Sequence, residues 1–203
     1  MSDRVVAVFD FDKTLSTRDN VIPFLRAAVG RARLVRALLA SSPRLVAAAF
    51  ADGCRDAAKV AMVRHTLTGY DARRLDDVAA RFADDVFAHH LRPDVVGRVA
   101  WHRDQGHELV MVSASFERYL SRIATRLGGF AAVLATELAV GDDGRLTGEL
   151  ARPNVRGPEK VRRLDEWLAR EGRPAFVWAY GDSAGDRELL ARADQASSVG
   201  RRA

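Results

Sequence analysis

Short apolar runs alternate with longer stretches of helical periodicity along most of this chain. The first run covers residues 5–9, and two more cover residues 109–112 and 176–180. Each run is too short for a helix and contains no charged residue, which is typical of a strand buried on both faces of a sheet. A weaker run at residues 131–134 and an edge strand at residues 196–199 complete the predicted strands.

Helical patterns fill the intervals between these runs. They are predicted at residues 116–127, 159–170 and 184–193. Strands that alternate with helices indicate an α/β fold, with a Rossmann-like parallel sheet covered by helices on both faces. Residues 137–149 form two alternating stretches around an Asp-Asp-Gly turn, which is typical of a β-hairpin.

The long interval between the first two strands differs from the rest of the chain. Residues 21–98 contain no convincing strand and predict several helices separated by turn signals. An all-helical insertion at this point indicates a cap over the edge of the sheet. We therefore expect a catalytic core formed by residues 1–20 and 99–203, and an inserted helical cap formed by residues 21–98.

Composition narrows the class of protein. Of the 203 residues, 48% are hydrophobic and 29% are charged, which is enough for one compact domain or for a core with a modest insertion. The single cysteine, Cys54, excludes an intrachain disulfide and a zinc site built from several cysteines. The first residues show no basic leader followed by an apolar run, so we expect no signal peptide and a cytoplasmic protein.

The net charge of +5, from 32 basic and 27 acidic side chains, favours anionic partners. Phosphorylated metabolites, nucleic acid and an acidic membrane surface all fit this charge. Aromatic residues make up 7% of the chain and are not interleaved with a basic patch, so we expect no nucleic-acid partner. Residues 24–50 combine apolar residues with arginines, which is compatible with membrane contact, although a pair of cap helices with solvated arginines is the favoured interpretation.

Polar residues directly follow three of the predicted strands. Asp10 and Asp12 follow the first strand, Ser113 ends the second, and Asp182 follows the third. Carboxyl ends of parallel strands meet at one edge of the sheet, where such folds bind ligands. In an extended chain the carboxylates of Asp10 and Asp12 point to the same side, and two buried carboxylates need a cation between them. The oxygen ligands of Asp10, Asp12 and Asp182 are suited to Mg²⁺.

A second group of candidates is suited to holding an anion. The Ser113 hydroxyl and the N–H of Ala114, which we expect at the start of the next helix, can hold an anionic oxygen. Lys160 can add a compact positive charge, and it is one of only three lysines among the 32 basic residues. Acids with a cation on one side, and a hydroxyl, an amide and an ammonium on the other, form a phosphate site.

The order of these motifs resembles that of the haloacid dehalogenase superfamily of phosphohydrolases. The motifs are Asp-Phe-Asp-Lys-Thr-Leu from residue 10, Val-Ser-Ala-Ser from residue 112, Lys160, and Tyr-Gly-Asp-Ser-Ala-Gly-Asp from residue 180. The inserted helical cap is similar to that of the phosphoserine phosphatase-like branch. The resemblance covers essentially the whole chain. It implies a Mg²⁺-dependent phosphomonoester hydrolase that acts on a small phosphorylated metabolite through an aspartyl-phosphate.

The resemblance also implies a role for each matching residue. Asp10 would be the nucleophile, and Asp12 would protonate the leaving alcohol and then activate water. Mg²⁺ would be held by the Asp10 carboxylate, the backbone carbonyl of Asp12 and Asp182. Asp186 would orient the shell around the metal.

The phosphoryl oxygens would be held by Ser113, the amide of Ala114 and Lys160. Two departures from the phosphoserine phosphatase pattern lie near the substrate. Ser-Ala-Ser replaces the usual Ser-Gly-Gly in the second motif, and Gly185 stands where that pattern has Asn. Specificity for phosphoserine therefore does not follow from the resemblance.

Substrate choice is expected to depend on the cap. Asp19 lies nine residues after Asp10, at the spacing where the resembled branch has a carboxylate. The cap arginine of that branch matches Arg64 best, with Lys59 as the rival. We favour a small polar phosphate that carries an amine or a hydroxyl. The alternatives are a lipid-like phosphate, suggested by the apolar cap, and a non-catalytic basic binding module.

Overall fold

A five-stranded parallel sheet forms the core of the protein, for which a computed structural model describes residues 4–40 and 55–199. The strands are β1 (Val5–Phe9), β2 (Glu108–Phe116), β3 (Phe130–Thr136), β4 (Leu138–Val140), β5 (Leu146–Leu150), β6 (Phe176–Gly181) and β7 (Gln195–Ser198). The helices are α1 (Val21–Ala40), α2 (Arg55–Leu67), α3 (Ala72–His89), α4 (Pro93–Asp104), α5 (Glu117–Leu127), α6 (Pro158–Glu171) and α7 (Arg187–Arg192). The sheet has the order β3-β2-β1-β6-β7, which confirms the predicted α/β fold.

The central strand β1 is buried on both faces of the sheet. Val6 and Val8 pack into one hydrophobic cluster, whereas Ala7 and Phe9 pack into the other. Successive side chains of a strand point to opposite faces, so an uninterrupted apolar run serves both clusters. β1 lies between β2 and β6 and pairs in parallel with each. The carboxyl ends of these three strands therefore lie side by side.

The inserted cap rests on the core through an aromatic cluster. Phe24 of α1 and Phe82 of α3 contact Tyr119 of the core helix α5, with ring centroids 4.9 and 5.1 Å from that of Tyr119. All three side chains are buried. Offset and edge-on aromatic pairs of this kind add to the free energy gained from burying their area. The helix α1 is broken at Gly30, whose φ of 76° lies in the left-handed region that favours glycine.

The segments that enter and leave the cap pair with each other. Ser16 and Leu91 form an antiparallel bridge, and the N–H of Arg92 donates a hydrogen bond of 2.9 Å to the Leu15 carbonyl. The helix α4 begins directly afterwards, packs against β2, and continues through residue 98, where the sequence predicted the end of the cap. We therefore propose that the cap ends near Leu91 and that α4 belongs to the core.

The predicted hairpin is formed by β4 and β5, which pair antiparallel. It lies against the end of α2. Leu146 accepts a hydrogen bond of 2.8 Å from the N–H of Gly69 and donates one of 2.8 Å to the carbonyl of Tyr70. A Cβ added at Gly148 would fall 2.0 Å from the Thr68 hydroxyl oxygen, so the approach there requires glycine. The hairpin thus fixes the carboxyl-terminal end of α2 to the core.

No helix in the part of the chain that the structure describes is long and apolar enough to cross a membrane. The stretch at residues 24–50, which we considered for membrane contact, is described only as far as Ala40. Its remaining residues, and Cys54, lie outside the described ranges. The membrane-contact alternative therefore stays a prediction.

A fully buried histidine, His102 of α4, lies under the sheet. Its Nε2 is 2.8 Å from the Tyr180 hydroxyl, and its Nδ1 is 2.8 Å from Nδ1 of His107. Burial, together with the nearby His107 and Arg98, lowers the pKa of His102 to about 4. The neutral imidazole is therefore the form that the folded protein stabilises.

Acidification is expected to destabilise the fold through His102. In the unfolded chain the pKa of this side chain is about 6.5, so the unfolded state binds more protons between pH 6.5 and 4. From pH 7 to pH 5, His102 should lower the free energy of unfolding by about 1–2 kcal/mol. Urea unfolding at both pH values measures this. His102→Gln should show a shallower loss, whereas the exposed-site control His89→Gln should match the wild type. Identical losses in all three proteins would contradict the prediction.

Candidate active site

A tight turn directly after β1 carries Asp10 and Asp12. The N–H of Ser16 donates a hydrogen bond of 2.8 Å to the Phe11 carbonyl and closes the turn. Inside the turn Lys13 has a φ of 60°, in the left-handed region that residues other than glycine rarely adopt. The chain therefore changes direction directly after Asp12, and the two carboxylates reach different partners.

Asp10 is 5% exposed and lies beside Lys160. The Lys160 ammonium, in the first turn of α6, donates a hydrogen bond of 2.5 Å to Oδ1 of Asp10 and another to Oδ1 of Asp186. Burial alone would lower the pKa of Lys160, but the two carboxylates outweigh it and raise that pKa. Burial raises the pKa of Asp10 to about 7, even though Lys160 opposes the shift. Lys160 thus favours the anionic form of Asp10.

Asp12 turns toward the cap side of the site. Its Oδ1 accepts hydrogen bonds from the backbone N–H of Asn20 at 3.1 Å and from Nδ2 of Asn20 at 2.8 Å. Its Oδ2 accepts one from the Ser115 hydroxyl. Burial, followed by the charge of Asp19, raises the pKa of Asp12 to about 6 against these hydrogen bonds. A carboxyl group whose pKa approaches neutrality is suited to proton transfer.

Three carboxylates, those of Asp10, Asp182 and Asp186, have ligand atoms within 4.8 Å of one another. Asp182 follows β6, and Oδ2 of Asp186 accepts hydrogen bonds from the Ser183 N–H at 3.1 Å and the Ser183 hydroxyl at 2.8 Å. These hard oxygen ligands fit Mg²⁺. The Asp12 carboxylate is not part of this cluster. The expectation that the carboxylates of Asp10 and Asp12 face one shared cation therefore stays a prediction. The Asp186 carboxylate lies within the cluster.

Ser113 and Ala114 lie in a bulge near the end of β2. The pairing with β3 joins Ser113 to Ala135 and then Phe116 to Thr136, so β2 has extra residues at this point. A bulge turns the strand and leaves backbone groups unpaired by the neighbouring strand. The prediction that Ala114 opens a helix is wrong, because β2 continues to Phe116 and α5 begins only afterwards.

These residues open into a cavity of about 570 Å³ between the core and the cap. The cavity is lined by all five predicted catalytic and phosphate-binding residues, namely Asp10, Asp12, Ser113, Ala114 and Lys160. The cap contributes apolar side chains, namely Val21, Ile22, Pro23, Leu38 and Met62. A cavity that combines charged groups with apolar side chains suits a phosphate ester with an apolar part.

The substrate-choice candidates Asp19 and Arg64 each have a partner within the protein. Asp19 lines the cavity, and its Oδ1 accepts a hydrogen bond of 3.0 Å from the N–H of Val21 at the start of α1. Arg64 turns toward the hairpin instead, with an exposed guanidinium 3.7 Å from the Glu149 carboxylate. The prediction that Arg64 contacts the substrate is therefore not supported by this geometry.

The third candidate, Lys59, lines the cavity with a side chain that is 7% exposed. Its ammonium donates hydrogen bonds to the Ala114 carbonyl and, at 2.7 Å, to Oδ1 of Asn154. Burial lowers the pKa of Lys59 to about 7, against the attraction of Asp12. The sequence did not single out Asn154, because one asparagine in a loop has neither periodicity nor a partner at a recognisable spacing.

Comparison with known proteins identifies the family of this chain. Residues 7–191 match the haloacid dehalogenase-like hydrolase family. The chain belongs to this family. The hydrolase is 36% identical over 191 residues to Protein CicA of Caulobacter vibrioides. This alignment covers 94% of this chain and 84% of that protein. The hydrolase is also 29% identical over 201 residues to a probable phosphatase of Mycobacterium tuberculosis. That alignment covers 97% of this chain and 69% of the relative.

Solved structures show the same fold. A substrate-bound phosphoserine phosphatase superposes on the hydrolase with a TM-score of 0.66 at 18% identity, covering 97% of this chain and 86% of the other. The hydrolase is thus a phosphomonoester hydrolase of the haloacid dehalogenase family, related to the phosphoserine phosphatases. The recognition made from the sequence motifs is confirmed.

Proposed function

We propose that the protein removes the phosphoryl group from a small phosphomonoester through a covalent intermediate on Asp10. The observation that carries this proposal is the division of partners between the two carboxylates. Asp10 is paired with the Lys160 ammonium, whereas Asp12 is held by hydroxyl and amide donors and has a raised pKa. One carboxylate is therefore suited to attack and the other to carry a proton.

The reaction would proceed in two steps. An Asp10 oxygen bonds to phosphorus, the bond from phosphorus to the ester oxygen breaks, and Asp12 gives its proton to the leaving alcohol. Asp12 then takes a proton from a water molecule, which attacks phosphorus and releases the Asp10 carboxylate with inorganic phosphate. The same acid serves both steps because each leaves it in the protonation state that the other needs.

The phosphoryl oxygens would be held by Ser113, the Ala114 N–H and Lys160. The Ser113 Oγ accepts a hydrogen bond of 3.1 Å from the N–H of Ser115, which leaves its own proton for an anionic oxygen. Mg²⁺ would be held by Asp10, Asp182 and the Asp12 backbone carbonyl. When bound, the ion supplies positive charge that offsets repulsion between the phosphate and these acids.

Hydrolysis of p-nitrophenyl phosphate tests this function. Activity is expected with Mg²⁺, should vanish with excess EDTA and should return when Mg²⁺ is added back. Ca²⁺ should inhibit, because it accepts additional ligands and a looser geometry than Mg²⁺. The Asp10→Asn variant, purified in parallel, controls for contaminating phosphatases. Full activity after exhaustive EDTA treatment would refute the metal assignment, and an inactive wild type would favour the binding-module alternative.

An apolar phosphomonoester, such as a lipid-like phosphate, is a second candidate substrate class. The observation that favours it is the apolar wall that the cap contributes to the cavity. The competing candidate is a small phosphate with an amine or hydroxyl, which Asp19 could receive at the rim. Asp19 also accepts a hydrogen bond at the start of α1, so Asp19→Asn tests the role of its charge better than Asp19→Ala does. It removes the charge and keeps the oxygen that accepts the Val21 N–H.

A substrate series separates these two classes. If the apolar wall receives the leaving group, KM should fall along straight-chain alkyl phosphates, by up to about fourfold for each added methylene. If Asp19 receives an amine, Asp19→Asn should raise KM for phosphoserine or phosphoethanolamine and leave p-nitrophenyl phosphate nearly unchanged. An equal loss on all substrates would assign Asp19 a purely structural role at the start of α1.

A further inference from the structure

A buried polar cluster joins the cap helix α2 to the bulge of β2. At its centre is Asn154, which is 9% exposed and lies in the loop between β5 and α6. Nδ2 of Asn154 donates a hydrogen bond of 2.6 Å to Asp56, and its Oδ1 accepts one of 2.7 Å from Lys59. The Thr136 hydroxyl lies 2.8 Å from the same Oδ1. Both ends of this amide are therefore occupied.

Lys59 carries the connection on to Ala114. Its ammonium donates to the Ala114 carbonyl as well as to Asn154, and it lies 4.6 Å from the centre of the Phe116 ring. The Thr136 hydroxyl is 3.0 Å from the same carbonyl oxygen. A buried ammonium is costly unless its N–H groups have acceptors, and here protein oxygens supply them. The Lys59 ammonium therefore binds the backbone carbonyl of Ala114 and the side chain of Asn154.

The contact with Ala114 fixes one peptide of the bulge. The Ala114 carbonyl shares its peptide with the N–H of Ser115, which donates to Oγ of Ser113 at 3.1 Å. This peptide is held at its oxygen by Lys59 and at its nitrogen by Ser113. Because the peptide is planar, holding both ends sets the orientation of the residues on either side of it.

We propose that Asn154 is a positioning residue that couples the seating of the cap to phosphate binding. By holding Asp56 and Lys59, it keeps the amino-terminal half of α2 on the core and keeps the Ala114 peptide in place. The other end of α2 is fixed independently by the hairpin at Gly148. The proposal rests on the proposed function, since the bulge that it orients is the phosphate-binding segment.

Inhibition by vanadate tests the coupling directly. Vanadate adopts the five-coordinate geometry of the transferring phosphoryl group and so depends on the orientation of the bulge. Asn154→Ala is expected to raise the Ki for vanadate by about 10- to 100-fold and to lower kcat on p-nitrophenyl phosphate by a similar factor. Partial misfolding would lower kcat without changing Ki. An unchanged vanadate Ki in Asn154→Ala would overturn the proposal.

Matched variants show whether the effect runs through Lys59. Asn154→Asp combined with Asp56→Asn keeps the acceptor for Lys59 and a hydrogen bond between positions 154 and 56, so this double variant should retain most of the vanadate affinity. Lys59→Met should reproduce the loss, and adding Asn154→Ala to it should change Ki little further, because both act through one connection. Glu149→Gln, an exposed change that precedes the same loop, should behave as the wild type. Independent, multiplying losses in the double variant would overturn the connection through Lys59.

Hydrogen–deuterium exchange distinguishes failure of this proposal from failure of the proposed function. If the wild type hydrolyses no phosphomonoester, the proposed function fails, and exchange still tests the coupling. Asn154→Ala should speed exchange at the Ser115 amide and in the amino-terminal half of α2 together, with β6 unchanged. If the Ser115 amide of Asn154→Ala exchanges at the wild-type rate, the proposal is overturned, whether or not the protein hydrolyses phosphomonoesters.

Discussion

Asp10→Asn is expected to lower kcat by more than about 10³-fold on every phosphomonoester that the wild type hydrolyses. The amide has nearly the size of the carboxylate, but it does not attack phosphorus as a carboxylate oxygen does. No covalent intermediate can then form at this position. Steady-state hydrolysis of p-nitrophenyl phosphate, with protein purified over two independent columns, measures the loss.

The fold should tolerate this change, because Lys160 keeps Asp186 as a buried partner. A urea midpoint close to that of the wild type is therefore the control for stability. Asp186→Asn would instead leave one amide oxygen to accept from both Lys160 and Ser183, which the two oxygens of Asp186 now serve separately. Retention of more than a small fraction of turnover by Asp10→Asn would contradict covalent catalysis at this residue.

The strand β1 could be predicted from the sequence because its pattern has few alternatives. Five apolar residues followed by an aspartate fit only a strand buried on both faces, and the structure has β1 at those residues. The end of β2 could not be predicted in the same way. Its last residues include Ser113 and Ser115, which interrupt the apolar pattern. They remain in the strand because Phe116 pairs with Thr136 beyond the bulge, and this contact depends on the tertiary structure.

The position of Asp10 beside the ends of the neighbouring strands could be predicted, because the strands of the sheet are parallel. The partners of Asp12 could not be predicted, because Asn20 and Ser115 reach its carboxylate from other parts of the chain. Helical geometry shows that Lys59 and Arg64, five residues apart on α2, differ in direction by about 140°, so one residue facing the cavity excludes the other. Only the position of the hairpin decides that Lys59 is the one that faces inward.

Asp12→Asn is expected to lower kcat by about 10²- to 10⁴-fold, with a larger loss on alkyl than on aryl phosphates. The amide oxygen can still accept the hydrogen bonds from Asn20, so the site should keep its shape. What is lost is the proton that a leaving alkoxide needs and the base that activates water. p-Nitrophenolate leaves without a proton, so for that substrate the first step is spared and only the second is slowed.

This asymmetry separates the roles of the two aspartates in a rapid-mixing experiment. With p-nitrophenyl phosphate, Asp12→Asn should release one equivalent of nitrophenol in a burst and then turn over slowly, because the phosphorylated Asp10 accumulates. Asp10→Asn should show no burst. The control Ser115→Ala removes one hydrogen bond to Asp12, keeps the carboxylate, and should retain wild-type leaving-group dependence. Equal losses on alkyl and aryl phosphates without a burst would mean that Asp12 only holds Asn20 and Ser115 in place, and the proton-transfer role would have to be abandoned.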